Sequence, residues 1–459
     1  MDNRLVDNSV QAVERAAGSL RYSVLALLFI ATTVNYADRA TLSIAGAQMQ
    51  SQLGLSVVAM GYLFSAFGWS YVAAQIPGGW LLDRFGSRRV YSLSILLWAV
   101  LGLAQGAVGF LGPVGVVGAL FVLRLGVGMA EAPVFPGNSR IVAAWFPTGE
   151  RGTAAAVFNS AQYFAPVAFA PLQAWITHRF GWQYVYFCMG TFALVLLFVW
   201  RGNLYSPRRH PRISASELDY IAAGGAQVDM DDGAGRFSAP VRWGQVTQLL
   251  RSRMLIGVYI AQYCITTLTY FFLTWFPIYL VKQRGMSILT AGFVATLPAI
   301  CGFIGGVLGG VLSDALLRRG YSLTVARKLP IIVGLLLSTV MIACNYIYTD
   351  WLVVLIMSLA FFGKGIGALG WAVVADTSPP RMAGLSGALF NTFGNTAAIT
   401  TPIIIGYIVA ATGTFAGALV FVVANALVAM LSYLLVVGPI VRLELDDRGP
   451  DLSLRCARD

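Results

Sequence analysis

Twelve apolar runs, each close to membrane-crossing length, leave this chain few folds to choose from. They cover about 22–45, 57–82, 89–110, 113–142, 151–177, 182–202, 252–282, 287–313, 327–347, 350–376, 381–410 and 414–438. A spanning helix needs roughly 20 predominantly apolar residues. The runs are continuous rather than alternating, which argues against a membrane β-barrel. Hydrophobic residues make up 58% of the 459-residue sequence and charged residues 11%, whereas soluble domains carry about 25% charged residues. The expected fold is an all-α membrane protein with twelve transmembrane helices.

A polar stretch, 203–251, separates a first set of six runs (1–202) from a second (252–440), and 441–459 forms a tail. Within the polar stretch, Ser214-Ala215-Ser216-Glu217 has the spacing of a capping box for a short surface helix, and Asp229 to Gly235 reads as flexible loop. Lys and Arg lie mostly in one set of connections: Arg84, Arg88, Arg89, Arg151, Arg208, Arg209, Arg212, Arg318, Arg319, Arg327, Lys328 and Arg381. The other set holds little beyond Arg179, Lys282 and Arg284. This asymmetry predicts that both termini are cytoplasmic. It also explains the net charge of +11 without invoking nucleic acid. Cys188, Cys264, Cys301, Cys344 and Cys456 fit no metal-ligand spacing and suggest no disulfide framework. With two histidines, no metal cluster is expected, and no cofactor motif or nucleophile–base pair supports an enzyme. The polar first twenty residues do not read as a cleavable signal peptide.

The two halves repeat one another. Gly79-Trp80-Leu81-Leu82-Asp83 is followed by Arg84, Gly86, Arg88 and Arg89. Gly310-Val311-Leu312-Ser313-Asp314 is followed by Arg318, Arg319, Gly320, Arg327 and Lys328. Duplication predicts two pseudo-symmetric six-helix bundles with the substrate site between them, near the bilayer midplane.

Charges inside spans are costly and usually functional. Asp38 and Arg39 lie in the first run, Arg124 and Glu131 in the fourth, and Lys364 in the tenth. Adjacent on a helix, Asp38 and Arg39 diverge by about 100° and do not face each other. Arg124 and Glu131 share a face but stand about 10.5 Å apart along the axis, so each needs a partner elsewhere. Guanidinium groups suit carboxylates, making Arg39 and Arg124 candidate anion clamps. Asp38 and Glu131 become candidate proton carriers, because protonating either frees a neighbouring arginine for substrate. Asn35 with Arg39, Tyr71 with Gln75, Asn159 with Gln162 and Tyr163, Lys364 with Trp371, and Asn391 with Asn395 form polar stripes. Lys364 is a second cation suited to a diacid. Its alternative role, neutralising Asp376, is disfavoured by about 18 Å of helix between them. Trp275 and Trp371 are candidates for stacking on a carbon chain, with core packing the alternative. Pro133 and Pro136 break the backbone ladder after Glu131.

The repeated Gly-x-Leu-x-Asp segment resembles the loop signature of the major facilitator superfamily, where such residues hold one access state closed. The resemblance makes Asp83, Arg84 and Asp314 gating candidates. Asn35-Tyr36-Ala37-Asp38-Arg39-Ala40-Thr41-Leu42-Ser43, Phe64 to Trp69, Gln75 to Trp80, Glu131 to Pro136, Ala144 to Pro147, Phe272 to Pro277 and Phe361 to Gly365 resemble the anion:cation symporter family. The likeness spans about Tyr22 to Arg442 and points to the bacterial galactarate/glucarate branch. It implies proton sites at Asp38 and Glu131, and substrate contacts at Tyr36, Arg39, Tyr71, Arg124, Gln162, Trp371 and Asn391. Ala368 and Lys364 depart from the galactonate-type pattern. The expected activity is proton-coupled import of D-glucarate or galactarate by alternating access, by a monomer in the bacterial inner membrane. The alternatives are a galactonate or hexuronate importer and, more distantly, an anion receptor that transports nothing.

Overall fold

The computed structural model describes residues 18–109, 115–148, 150–229, 243–378 and 383–443. Arg381, Cys456, the tail beyond 443 and most of the 229–235 stretch lie outside the described residues.

In the first half, α1 runs over Leu20–Gln52, α2 over Val57–Phe85, α3 over Ser87–Val108, α4 over Val116–Glu131, α5 over Val134–Trp145, α6 over Arg151–Phe180 and α7 over Trp182–Asn203. The linker contributes α8 (Ala215–Ala223) and α9 (Trp243–Arg251). In the second half, α10 (Arg253–Tyr270) passes through a π-turn, Phe271–Trp275, into α11 (Phe276–Lys282). Then follow α12 (Ile288–Val294), α13 (Thr296–Arg318), α14 (Leu323–Ser338), α15 (Asp350–Ile366), α16 (Gly370–Thr377), α17 (Ala383–Asn395), α18 (Ala397–Thr412) and α19 (Ala416–Leu431). Eleven of these helices or helix runs are long and apolar enough to cross a membrane. α6, the remaining long helix of 30 residues, is not among them and carries Asn159, Gln162 and Gln173 along its length.

Several spans are longer or more broken than the apolar runs suggest. α1 extends to Gln52, past the run ending near Ile44. The fourth span divides at Ala132-Pro133: α4 stops at Glu131, and α5 restarts with Pro133 at its cap and a Gly137 N–H···O bond of 2.8 Å to Pro133. Proline has no N–H to continue the ladder, so the break falls directly after a buried carboxylate. Asp83 and Arg84 belong to the last turn of α2 and not to a loop. Gly86, at φ +81°, alone separates α2 from α3, and Gly320 at φ +84° follows α13 in the matching place. Only glycine adopts such angles readily.

The described residues pack as two compact units. One takes those within Met1–Arg236, Tyr270–Ile300 and Ala398–Ala418, the other those within Phe237–Thr269, Cys301–Ala397 and Leu419–Asp459. Packing therefore does not follow the sequence halves, since α11, α12 and nearly all of α18 join the first unit. There Ser43 donates to the Thr274 carbonyl at 2.7 Å, and Trp275 Nε1 to the Pro402 carbonyl at 3.2 Å. Gly61 and Gly68 permit this approach, because a Cβ on either would fall under 3 Å from Pro402 or Ala398. In the second unit α14 and α15 touch backbone to backbone: a Cβ on Gly334 would lie 2.4 Å from the Gly363 carbonyl. Small residues at helix crossings let packing and dispersion replace the hydrophobic drive that lipid removes.

Candidate functional site

α1 and α4 bring the four intramembrane charges of the first unit into its interior. Arg39 is 7% exposed, Asp38 and Arg124 are each 3%, and Glu131 is fully buried. Arg39 Nε donates to Glu131 Oε2 at 2.8 Å. This is the inter-helix partner that the spacing of Arg124 and Glu131 demanded. Asp38 itself faces α3, with Oδ1 3.8 Å from where a Cβ on Gly102 would stand.

Aromatic faces surround the Arg39 guanidinium. Its central carbon lies 4.8 Å from the Tyr36 ring, 4.6 Å from Phe67 and 4.7 Å from Tyr71. The Phe67 and Tyr71 rings stack at 5.2 Å, as residues four apart on one helix do. Phe67 also faces Arg124, at 5.7 Å, so one ring lies against both arginines. Cation–π contacts hold a guanidinium without neutralising it. Arg39 keeps Nη2, and Arg124 keeps Nε and Nη1, without a hydrogen bond to protein. The site thus presents buried, charged donors suited to a carboxylate.

Gly128 makes this arrangement possible. It lies between Arg124 and Glu131 on one face of α4, and a Cβ there would meet Ser70 Oγ at 2.2 Å and the Phe67 carbonyl at 2.3 Å. Below the Pro133 break, Tyr91 donates to Asn138 Oδ1 at 3.0 Å and Asn138 donates to Thr32 at 2.9 Å. These bonds tie α3, α5 and α1 together. Gln173 of α6 donates to the Ala37 carbonyl and to Thr41, steadying the backbone beside Asp38. Sequence reasoning missed Phe67, Gly102, Gly128, Asn138 and Gln173. The spacing of Phe67 from Tyr71 was a readable signal for the first of them.

The remaining expected site residues are distributed differently. Gln162 donates to the Asn159 carbonyl on its own helix at 3.1 Å. Lys364, Trp371 and Asn391 belong to the second unit. Lys364 is 4% exposed and its Nζ lies 5.1 Å from the Phe361 ring. Trp371 is half exposed, edge-on to Phe390 at 5.0 Å. Asn395 donates to Asn391 Oδ1 at 2.9 Å. Trp275 is a core residue, 1% exposed between Phe64 and Phe415; its stacking role is set aside. Among the gating candidates, Asp83 pairs with Arg140, and Arg84 lies over Trp80 and Phe85. Arg327 bonds Asp376 at 2.7 Å and Ser313 at 2.8 Å, with Asp314 3.6 Å away. Asp376 is thus held by Arg327. No group of His, Cys, Asp or Glu among the described residues could hold a metal ion.

Buried opposing charges on broken helices of membrane-crossing length mark a polytopic membrane protein. The Major Facilitator Superfamily description matches residues 28–326, and the chain belongs to that family. It is 62% identical over 438 residues to the probable galactarate/D-glucarate transporter GudP of Bacillus subtilis (strain 168), covering 95% of this chain and 96% of that one. It is 59% identical over 442 residues to the protein of the same name from Escherichia coli (strain K12), covering 96% and 98%. The D-galactonate transporter of Escherichia coli O6:H1 is 40% identical, covering 93% and 97%. Among solved structures, a bacterial homologue of the human lysosomal transporter Spinster, inward-facing and occupied, matches with TM-score 0.71 at 15% identity over 91% and 97% of the chains. The D-xylose–proton symporter matches with TM-score 0.68 at 15% identity over 92% and 98%. These two share the fold.

Proposed function

We propose that the protein is a monomeric proton-coupled symporter importing a sugar diacid, D-glucarate or galactarate, across a bacterial inner membrane with both termini cytoplasmic. The observation that carries this reading is the Arg39–Glu131 bond, in which a protein carboxylate occupies the arginine that a substrate carboxylate needs. A proton reaching Glu131 neutralises it and weakens the bond, and Arg39 Nε and Nη2 then turn to the substrate. Substrate release lets Glu131 lose its proton and recapture Arg39. Asp38 serves as the second proton carrier and Arg124, with its Nε and Nη1 unbonded to protein, as the second anion clamp. Tyr36 and Tyr71 supply hydroxyls beside the bound anion, and Gln162, Trp371 and Asn391 complete the contacts. Buried Lys364 gives a second carboxylate its counter-charge, which favours a diacid over a monoacid. Asp83, Arg84 and Asp314 act in gating. The names of the 62% and 59% identical relatives support the same substrates.

The test is uptake of labelled D-glucarate by proteoliposomes, with and without an inward proton gradient, in competition with galactarate, galactonate and glucuronate. Gradient-driven accumulation blocked by galactarate but not by the monoacids is the expected result. Competition by the monoacids alone would move the substrate to that branch, and binding without counterflow would leave a receptor.

A further inference from the structure

A helix entering the membrane leaves its first N–H groups unsatisfied, and α1 lacks a local remedy. Ser19 provides no side-chain cap, and its first turn holds no acid. The remedy comes from the linker. Glu217 of α8 accepts from the Leu20 N–H at 3.2 Å and the Arg21 N–H at 3.0 Å. The expected capping box at Ser214 is half formed: Ser214 accepts from the Glu217 N–H, while the Glu217 carboxylate serves another helix.

Around it the stretch from Tyr220 to Gln227 is bonded repeatedly within the first unit. Arg21 pairs with Glu150 at 3.1 Å and lies 3.6 Å from Glu217. Its guanidinium is held between the Tyr22 and Tyr220 rings, and Tyr220 donates to Glu150 at 2.7 Å. Arg151 donates to the Gly225 carbonyl at 2.6 Å, and the Gln227 N–H to the Ala143 carbonyl at 2.9 Å. Glu217 and Arg21 are 1% and 2% exposed. Gly18 leaves the carboxylate its space, since a Cβ there would lie 2.4 Å from Glu217 Oε2.

We propose that Glu217 is a positioning residue for the transport site: α8 packs within the first unit, and the Glu217 carboxylate fixes the end of the helix that carries Asp38 and Arg39. The acid also meets the positive end of the α1 dipole. Arg39 stands nineteen residues beyond Leu20, roughly 28 Å along a rigid rod at 1.5 Å per residue. A slip at the cap therefore shifts Arg39 against Glu131. The functional arm of the test rests on the symporter reading above; the structural arm does not.

The experiment compares the full chain with Glu217→Ala, Glu217→Gln and Gly18→Ala, the last displacing the carboxylate while keeping its charge. Hydrogen exchange at the Leu20 and Arg21 amides should quicken roughly tenfold in Glu217→Ala and Gly18→Ala, and in the peptide holding Asn35–Arg39 roughly threefold. Per molecule of folded protein, the KM for D-glucarate should rise several-fold and the pH profile of uptake should move. Glu217→Gln, which keeps an acceptor oxygen, should recover part of each change. Exchange that is unchanged, or that quickens in the first turn alone with KM and pH profile intact, overturns the proposal. If the unsubstituted protein takes up no aldarate, the substrate assignment fails, and exchange in the Asn35–Arg39 peptide still decides this one.

Discussion

Arg39 stands where hydrogen bonding, ring contact and charge meet, and substitutions there separate the three. Arg39→Lys keeps the charge but loses the planar donors that reach Glu131 Oε2 at 2.8 Å. Uptake should fall at least roughly tenfold, read as initial rate at saturating substrate. Arg39→Ala leaves a carboxylate buried and unpaired, a change worth about 3–5 kcal/mol; the melting temperature should drop as transport is lost. Glu131→Gln imitates the protonated acid. Counterflow should persist while gradient-driven accumulation disappears, and full accumulation in that variant would exclude Glu131 as a proton carrier. Phe67→Leu removes the ring that both arginines face and should weaken substrate binding about 3- to 10-fold, as loss of one or two cation–π contacts implies. The intramembrane charges were legible because each violates the apolar pattern around it. Gly102 and Gly128 were not, since glycine is common in membrane helices and its role appears only from what a Cβ would meet, the Phe67 carbonyl at 2.3 Å for Gly128 and Asp38 Oδ1 at 3.8 Å for Gly102.

At the scale of elements, the break in the fourth span and the docked linker matter most. Gly128→Leu pushes α4 off α2 at the level of Phe67 and should abolish transport, with loss of folded protein in detergent the accompanying sign. Within the linker, His210 accepts the Arg212 N–H on Nδ1 and bonds the Asn203 carbonyl through Nε2. It lies edge-on to Trp145 and Tyr205. Burial lowers its pKa below the ordinary histidine value. The neutral ring fits the fold, so its contribution is fully present above the unfolded value, near 6.5. It is lost as pH falls through that value toward the lowered one. Linker protection against protease should therefore weaken on acidification, and His210→Gln should flatten that dependence. The capping box at Ser214 was readable from spacing, yet spacing cannot say that its acid caps a helix 197 positions away. The Asp83 motif, read as a loop, is helical because one left-handed glycine suffices to turn α2 into α3.

For the molecule as a whole, duplication was plain in the sequence, whereas the division into compact units was not. Which helix segments close against each other depends on side-chain fit, such as Trp275 against Pro402, and not on hydropathy. The repeated motif also differs between its copies. Arg327 is held chiefly by Asp376 at 2.7 Å, with Asp314 more distant and 64% exposed. If Asp314 gates through Arg327, Asp314→Asn should lower uptake, by no more than the 0–1 kcal/mol typical of surface pairs, and Asp376→Asn considerably more. Equal losses in the two variants would show that the pair distances misrank them.

The enclosure of Arg39 by rings and a buried acid has a consequence for how this protein responds to salt. Between 10 and 150 mM the screening length shrinks from about 30 to about 8 Å. That screening acts through solvent, which reaches the Asp83 side chain, 55% exposed, but hardly the Glu131 side chain, at 0%. Ionic strength is thus a selective solvent probe of the molecule. It loosens the exposed Asp83 pair and leaves the enclosed Arg39–Glu131 pair nearly as it was.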